Sequence, residues 1–359
     1  MKQTLTDANF PRTADLRVYH LGLRPGEVAN RIVTVGSPSR ARVLASHFDA
    51  SPKHFELASE RGFLTITGRY KGVPVSVISI GMGHPNVDFF VREVRECIGG
   101  DMYIVRLGSC GGLIDVPVGS VVVPKSSVAV ERNLDFDFVG PEGEGSAAQA
   151  YRVSKLAYAD EGLHAQVLVP GFSFLSAHRV QLLKSIVAAK PKQTDNVQTM
   201  VVGDCSNASA DSFYSSQGRQ TSFPDHNKDL IEHLQSTIPD LASFEMETFW
   251  IYHLARCWSQ RPHAQPSNAS PPLATSPVTP NASADSKISA SVPLAGQGTV
   301  IRAASAQMIF AARGSRDFIT PAQVDVLEEW TGRGVLDALV AMDIPAEKLH
   351  PEAESVWAL

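Results

Sequence analysis

Short apolar runs ending in glycine turns recur along this chain, each followed by a stretch with helical spacing. Arg31–Arg40 reads as a buried strand (Ile-Val-Thr-Val), a Gly36 turn and a helix start carrying Arg40 and Arg42. Two alternating runs, Gly62–Tyr70 and Val73–Ile80, flank Lys71-Gly72 and predict a hairpin. A glycine-rich bend at Gly81–Asn86 then leads to a helix over Val87–Cys97. Met102–Gly112 predicts a buried strand running into Arg106 and then a turn built on Gly108, Ser109, Gly111 and Gly112. Further strands are expected at Gly119–Pro124, His164–Pro170 and Val197–Gly203, with a loop at 140–147 and a helix near 148–160. Leu230, Ile231 and Leu234 have the spacing of a helix over Asp225–Thr237. Leu241–Phe244 leads into a helix over Glu245–Ala255 that opens with acids. Thr299–Ala312 is again a strand, and Pro321–Met342 an amphipathic helix with Thr320 as its N-cap. Strands alternating with helices predict an α/β fold, a three-layer α/β/α sandwich around a central mixed sheet.

Residues from about 259 to 298 break the pattern. They are rich in Pro, Ser and Ala and have almost no large apolar side chains, so they are expected to form a disordered insertion within a single domain spanning 1–359. Closing a core across such a segment costs little, because loop entropy grows only logarithmically with length.

Composition narrows the function. The 359 residues are 43% apolar and 19% charged, ordinary for a globular protein, and the formal charge of -5 gives no electrostatic case for nucleic acid or an anionic membrane. The first ten residues lack the apolar core of a secretion signal, and no run reaches membrane-spanning length. Cys97, Cys110, Cys205 and Cys257 lie far apart without a CxxC pair, which argues against zinc and against a disulfide scaffold. A cytoplasmic protein is expected.

Three stretches carry chemistry. Asp211–Arg219 sets an aromatic ring (Phe213), a carboxamide (Gln217) and a guanidinium (Arg219) within seven residues, the parts needed to hold a flat polar heterocycle such as uracil. On pattern alone a surface loop is the commoner explanation of such a stretch. Gly36 before the helix start at Arg40 suits an anion, although a plain βα connection has the same look. Arg40 lies close enough to reach such an anion bidentately. Arg106, at the end of an apolar strand with no acid nearby in sequence, calls for a counter-ion.

Taken in order, Tyr19-His-Leu-Gly-Leu23, Gly36-Ser-Pro-Ser-Arg40, Gly81-Met-Gly-His-Pro85, Val105–Gly112, Phe213-Tyr-x-x-Gln-x-Arg219 and Phe244-Glu-Met-Glu247 resemble the nucleoside phosphorylase-I family. The likeness spans roughly residues 16–258 and 299–340. The Gln-x-Arg pair resembles the uridine-specific branch, and Gly-Ser-Pro-Ser-Arg the eukaryotic dimeric subgroup. The resemblance implies reversible phosphorolysis of uridine to uracil and ribose 1-phosphate, with phosphate as co-substrate and no cofactor. It also implies the roles. Gly36, Arg40, Arg106 and Ser109 would bind phosphate, joined by Arg61 from a neighbouring subunit of a homodimer. Glu245, Met246 and Glu247 would hold the ribose, Glu247 taking the 2′- and 3′-hydroxyls, and His20 from the partner the 5′-hydroxyl. Phe213, Gln217, Arg219 and Arg313 would bind uracil; Arg106, Glu247, Arg219 and Arg313 are the catalytic set.

Three features depart from the family. The segment from Gly203 to Phe213 is about two residues longer, Ala312 stands where an Asn is common, and Gly62 replaces a Glu that helps hold potassium in bacterial members, so no metal site is expected. The rival readings are a purine nucleoside phosphorylase of the same family, a nucleosidase using water, and a non-catalytic nucleoside-binding protein.

Overall fold

A computed structural model of the protein describes residues 4–140, 147–160, 181–192, 199–261 and 298–359. The strand expected at His164–Pro170 and the insertion from 262 to 297 lie outside the described residues, as does most of the 140–147 loop.

A ribbon of β1 (Leu5–Thr6) and β2 (Arg12–Thr13) precedes the main sheet. The first half of that sheet is built from β3 (Arg31–Val35), β4 (Phe55–Ala58), β5 (Leu64–Tyr70), β6 (Val73–Ser79) and β7 (Met102–Gly112), with α1 (Pro38–Ala45) and α2 (His84–Arg95) between them. The second half adds β8 (Val121–Val122), β9 (Ser126–Arg132), α3 (Ala147–Ala150), β10 (Tyr151–Val153), β11 (Ala157–Tyr158), α4 (Gln181–Ala189), β12 (Val201–Val202) and β13 (Ser206–Ala210). A 3-10 turn (Ser215–Gln217), α5 (Leu230–Thr237), β14 (Leu241–Glu245), α6 (Thr248–Ser259), β15 (Ile301–Ala312) and α7 (Pro321–Val340) complete it.

The strands run in the order β10-β9-β13-β14-β7-β3-β6-β5-β4, with β15 along β7 and with β8 and β12 beyond β15. Strand β7 pairs in parallel with β3 and β15 and antiparallel with β14, so the sheet is mixed as expected. Strand β3 and the first half of β7 are apolar on both faces because both are covered. Val33, Val35, Val105 and Leu107 pack with Leu44 of α1, Leu182 and Ile186 of α4 and Leu336 of α7. Their neighbours in sequence, Ile32 and Ile104, face the other way, onto Phe90 and Val94 of α2 and Ile251 and Tyr252 of α6. This is the three-layer sandwich. Helix α7 starts at a complete capping box between Thr320 and Gln323.

The structure corrects four expectations. Residues 148–160 are not one helix: after the short α3 the chain forms β10 and β11, because β9 offers a partner edge that the local pattern does not reveal. Strand β7 does not turn at Gly108 but continues to Gly112 alongside β15. Gly108 serves packing rather than a ligand, since a Cβ there would fall 2.1 Å from Gln307 Oε1. The helix expected from Glu245 begins at Thr248, Glu245 being the last residue of β14. Strands β9 and β13 escaped the pattern. Ser206-Asn-Ala-Ser-Ala210 is polar yet wholly buried, its hydroxyls satisfied by neighbouring strands, as in Ser126 Oγ to Ser206 Oγ at 2.9 Å.

Candidate active site

Strands β3, β7 and β14 deliver a compact ionic group at the centre of the sheet. Arg106, on β7, is buried, and its Nη2 donates to Glu247 Oε2 at 2.8 Å, the two side chains being 4% and 5% exposed. The acid that Arg106 lacks in nearby sequence therefore comes from 141 residues away. Its Nε and Nη1 are buried and have no hydrogen-bond partner among the described residues. Unsatisfied donors of this kind cost about 1–3 kcal/mol each, so this is a position where a ligand gains by binding. Gly36 lies against the same guanidinium, 3.6 Å separating Arg106 Nη2 from where a Cβ would stand.

Arg40 leaves the first turn of α1 and turns inward. Its Nε donates to Glu328 Oε1 of α7 at 2.7 Å, and its guanidinium sits 5.6 Å from the Phe310 ring. Burial holds this guanidinium below the usual arginine range; Glu328 opposes that, and the nearby Arg106 adds to it. With Nε committed and Nη1 3.5 Å from Leu107 O, Nη2 is the Arg40 donor best left for an anion. Ser109 is half-buried three residues beyond Arg106, level with Met308 of β15.

Glu247 has its other oxygen, Oε1, bonded to the Gly83 amide at 2.6 Å. Gly83 adopts φ 90°, a backbone that disfavours any side chain, and this aims its N–H at the carboxylate. Each Glu247 oxygen thus holds one donor and retains capacity for another. Met246 is half-buried beside it. Glu245 is turned away into the protein, accepting from Asn207 Nδ2 (2.7 Å), the Glu247 amide (2.8 Å), the Thr248 amide (3.0 Å) and the Ser209 hydroxyl. Burial, then the neighbouring Glu247 carboxylate, raises its pKa against those donors. Its bonds fix the bend between β14 and α6 on which Glu247 sits.

A second group lies where β7 and β15 end. Arg313 donates from Nη1 to Gln217 O at 3.0 Å and from Nη2 to Gly218 O at 3.3 Å, tying the 3-10 turn to the sheet. Asn227 holds the same turn through Ser215 O (2.8 Å) and Arg219 O (3.1 Å). Gln217 is buried in it. Arg219 stacks over the Phe213 ring at 4.0 Å, and that ring is still 47% exposed. A Cβ on Gly111 would lie 3.5 Å from Arg313 Cδ and 3.9 Å from Arg219 Nη2, so both guanidiniums meet at the strand end. Burial first, and then Arg313, brings the Arg219 pKa down to about 10. Among the described residues, neither arginine is paired with a carboxylate.

His20 and Arg61 lie elsewhere. Arg61 is exposed, stacked 4.6 Å over Tyr19 and bonded to its hydroxyl, while the Tyr19 and His20 rings meet edge-on at 4.8 Å. The two residues share one surface patch, and their contacts do not include Arg40, Arg106 or Glu247.

Sequence reasoning missed Glu328, Asn207 and the Gly83 amide. Glu328 carried a signal: it falls one residue after Leu327 and seven before Val335, on the apolar side of its helix, where a lone acid needs a partner. Among the described residues, no cluster of three or more His, Cys, Asp or Glu is placed to hold a metal, and no helix is long and apolar enough to cross a membrane.

The fold is similar to that of solved proteins. A uridine phosphorylase structure from the oomycete Phytophthora capsici superposes with a TM-score of 0.74 at 34% identity, over 95% of this chain and 100% of that one. A Trypanosoma brucei nucleoside phosphorylase, at 20% identity and a TM-score of 0.66, shares the fold over 93% of this chain. In sequence, the chain is 28% identical over 265 residues to a uridine phosphorylase of Thermococcus kodakarensis, covering 73% of this chain and 80% of that protein. A DeoD-type purine nucleoside phosphorylase of Oceanobacillus iheyensis is 32% identical over 152 residues, 41% of this chain and 63% of that protein. Residues 30–259 match the phosphorylase superfamily, and the chain belongs to that family.

Proposed function

We propose that the protein catalyses the reversible phosphorolysis of uridine to uracil and ribose 1-phosphate. The observation that carries this reading is the split of charge along strand β7. At one end, Arg40 and Arg106 are each matched by a carboxylate, Glu328 and Glu247. At the other, Arg219 and Arg313 have no carboxylate partner among the described residues. Phosphorolysis builds negative charge on the departing base, and an uncompensated pair of guanidiniums is where that charge is stabilised.

In this reading phosphate takes the open Nε and Nη1 of Arg106, Nη2 of Arg40, and Gly36 and Ser109. Glu247 accepts the ribose 2′- and 3′-hydroxyls on its remaining lone pairs, with Met246 packed on the sugar. Gln217, Arg219 and Arg313 hold uracil, its ring lying against Phe213. A phosphate oxygen forms the new bond to C1′ as the glycosidic bond breaks and its electron pair leaves on uracil. The sugar passes through an oxocarbenium-like state that the phosphate dianion stabilises. Positioning and electrostatics supply the catalysis, so neither a covalent intermediate nor a metal enters the reading.

The test is to follow free base from uridine and from inosine, each with and without phosphate. Uracil release that needs phosphate and yields ribose 1-phosphate is the expected result. Equal rates in phosphate-free buffer would assign the protein to the nucleosidases, and preference for inosine to the purine enzymes.

The same accounting points to a dimer. Two arginines and two glutamates leave the chain's own phosphate end without net positive charge. The missing cation is the partner's Arg61, displayed on the surface together with His20. Mixing an inactive Arg61→Ala chain with an inactive Arg106→Ala chain is expected to restore activity, because one hybrid site regains both arginines. Confirmed heterodimers without recovery would remove Arg61 from the site.

A further inference from the structure

Helix α2 carries a buried acid that the reaction above does not use. Glu93 lies three residues after Phe90 and four before Cys97, on the side of α2 that packs into the core, and its side chain is 8% exposed. A carboxylate in that position has to be saturated with donors. All of its recorded donors come from one turn of chain. Oε1 accepts from the His20 amide at 3.0 Å and from His20 Nδ1 at 2.7 Å; Oε2 accepts from the Leu21 amide at 2.8 Å and the His20 amide at 3.1 Å. The imidazole also lies flat on Phe89, with centroids 3.7 Å apart and planes at 14°. Phe89 thus sets the plane of the ring and Glu93 its rotation. An ionised carboxylate can only accept, so Nδ1 carries the proton, and of the two neutral tautomers this contact selects the one whose Nε2 is a lone pair.

We propose that Glu93 is a positioning residue that holds His20 in its Nδ1–H tautomer, so that Nε2 accepts a hydrogen bond from the nucleoside 5′-hydroxyl in the neighbouring subunit's site. The proposal rests on the uridine phosphorylase reading and on the place of His20 in it. A purely structural role would use the two backbone amides alone; the 2.7 Å bond to the ring separates the two roles. Glutamine at this position has one accepting oxygen in place of two. Either the Leu21 amide or the ring then loses its acceptor, and the tautomer is no longer set.

The test compares parent, Glu93→Gln, His20→Ala and the double variant on uridine and on 5′-deoxyuridine, which lacks the hydroxyl. Glu93→Gln is expected to lower kcat/KM for uridine about tenfold, the size of one lost hydrogen bond, and that for 5′-deoxyuridine less than twofold. In the His20→Ala background Glu93→Gln should change nothing further, since the path through the ring is gone. Equal losses on both nucleosides, or additive losses in the double variant, would overturn the proposal in favour of a structural role. The ring itself gives a readout independent of turnover. In protein labelled with ¹⁵N-histidine, the resonances absent from His20→Ala should report Nδ1–H in the parent and a changed tautomer in Glu93→Gln. An Nε2–H ring in active parent enzyme would overturn the Glu93 assignment alone, whereas a parent inert towards uridine would remove the functional reading.

Discussion

Arg219→Ala is expected to cut kcat for uridine on the order of 10²–10³-fold while KM rises far less, the size of losing one oxyanion-type donor. The guanidinium is held over Phe213 beside Arg313, with no acid among the described residues to neutralise it. In the proposed role its attraction for uracil would grow as the base becomes anionic, and an interaction that strengthens towards the transition state lowers the barrier more than it lowers substrate binding. A pKa brought down to about 10 still leaves Arg219 charged at neutral pH. Arg219→Lys should recover only part of the loss, because an ammonium has neither the planar stack on Phe213 nor the fork of donors. Steady-state kinetics of the two variants decide the matter. Near-parental kcat in Arg219→Ala would end the uracil assignment and with it the preference for uridine over purine nucleosides.

Glu247→Ala should lower kcat/KM for uridine by roughly 10²–10⁴-fold, from two hydrogen bonds to a charged group at about 1.5–3 kcal/mol each. The loss should be smaller with 2′-deoxyuridine, which gives up only one of the two bonds, so discrimination between the nucleosides should collapse. Stability should respond as well. Removing the carboxylate leaves the buried Arg106 guanidinium alone, a defect of about 3–5 kcal/mol for a broken buried pair. Phosphate supplies a replacement counter-ion, so the lowered Tm of Glu247→Ala should rise with phosphate more steeply than that of the parent. Unchanged discrimination between uridine and 2′-deoxyuridine would exclude Glu247 from the diol site. A phosphate response equal to the parent's would separate Arg106 from the anion site.

Much of the scaffold was legible because it is written in short-range pattern. The β3–α1 junction, the β5–β6 hairpin, and the β15 strand with its capped α7 helix all follow from apolar runs, glycine turns and an N-cap within ten to twenty residues. Strand β13 was not legible, since Ser206-Asn-Ala-Ser-Ala210 has no apolar pattern and is stable only where Ser126, Ser127 and Glu245 complete its hydrogen bonds. Residues 151–158 form strands for the same reason: the edge they pair with belongs to β9.

The candidate site divides along the same line. Its inventory of arginines, acids and aromatic rings, and the kind of ligand they suit, could be read from motifs such as Phe213-Tyr-x-x-Gln-x-Arg219 and Phe244-Glu-Met-Glu247, because the chemistry of a side chain travels with its identity. Which charges cancel could not be read. Arg106 meets Glu247 across 141 positions and Arg40 meets Glu328 across 288, whereas Arg219 and Arg313 meet each other and, among the described residues, no acid. Coulomb attraction and hydrogen bonding act over a few ångströms of space and are blind to distance along the chain. Sequence alone therefore named the charges of this site, and only the tertiary structure decided that, among the described residues, one pair of arginines is matched by acids and the other is not.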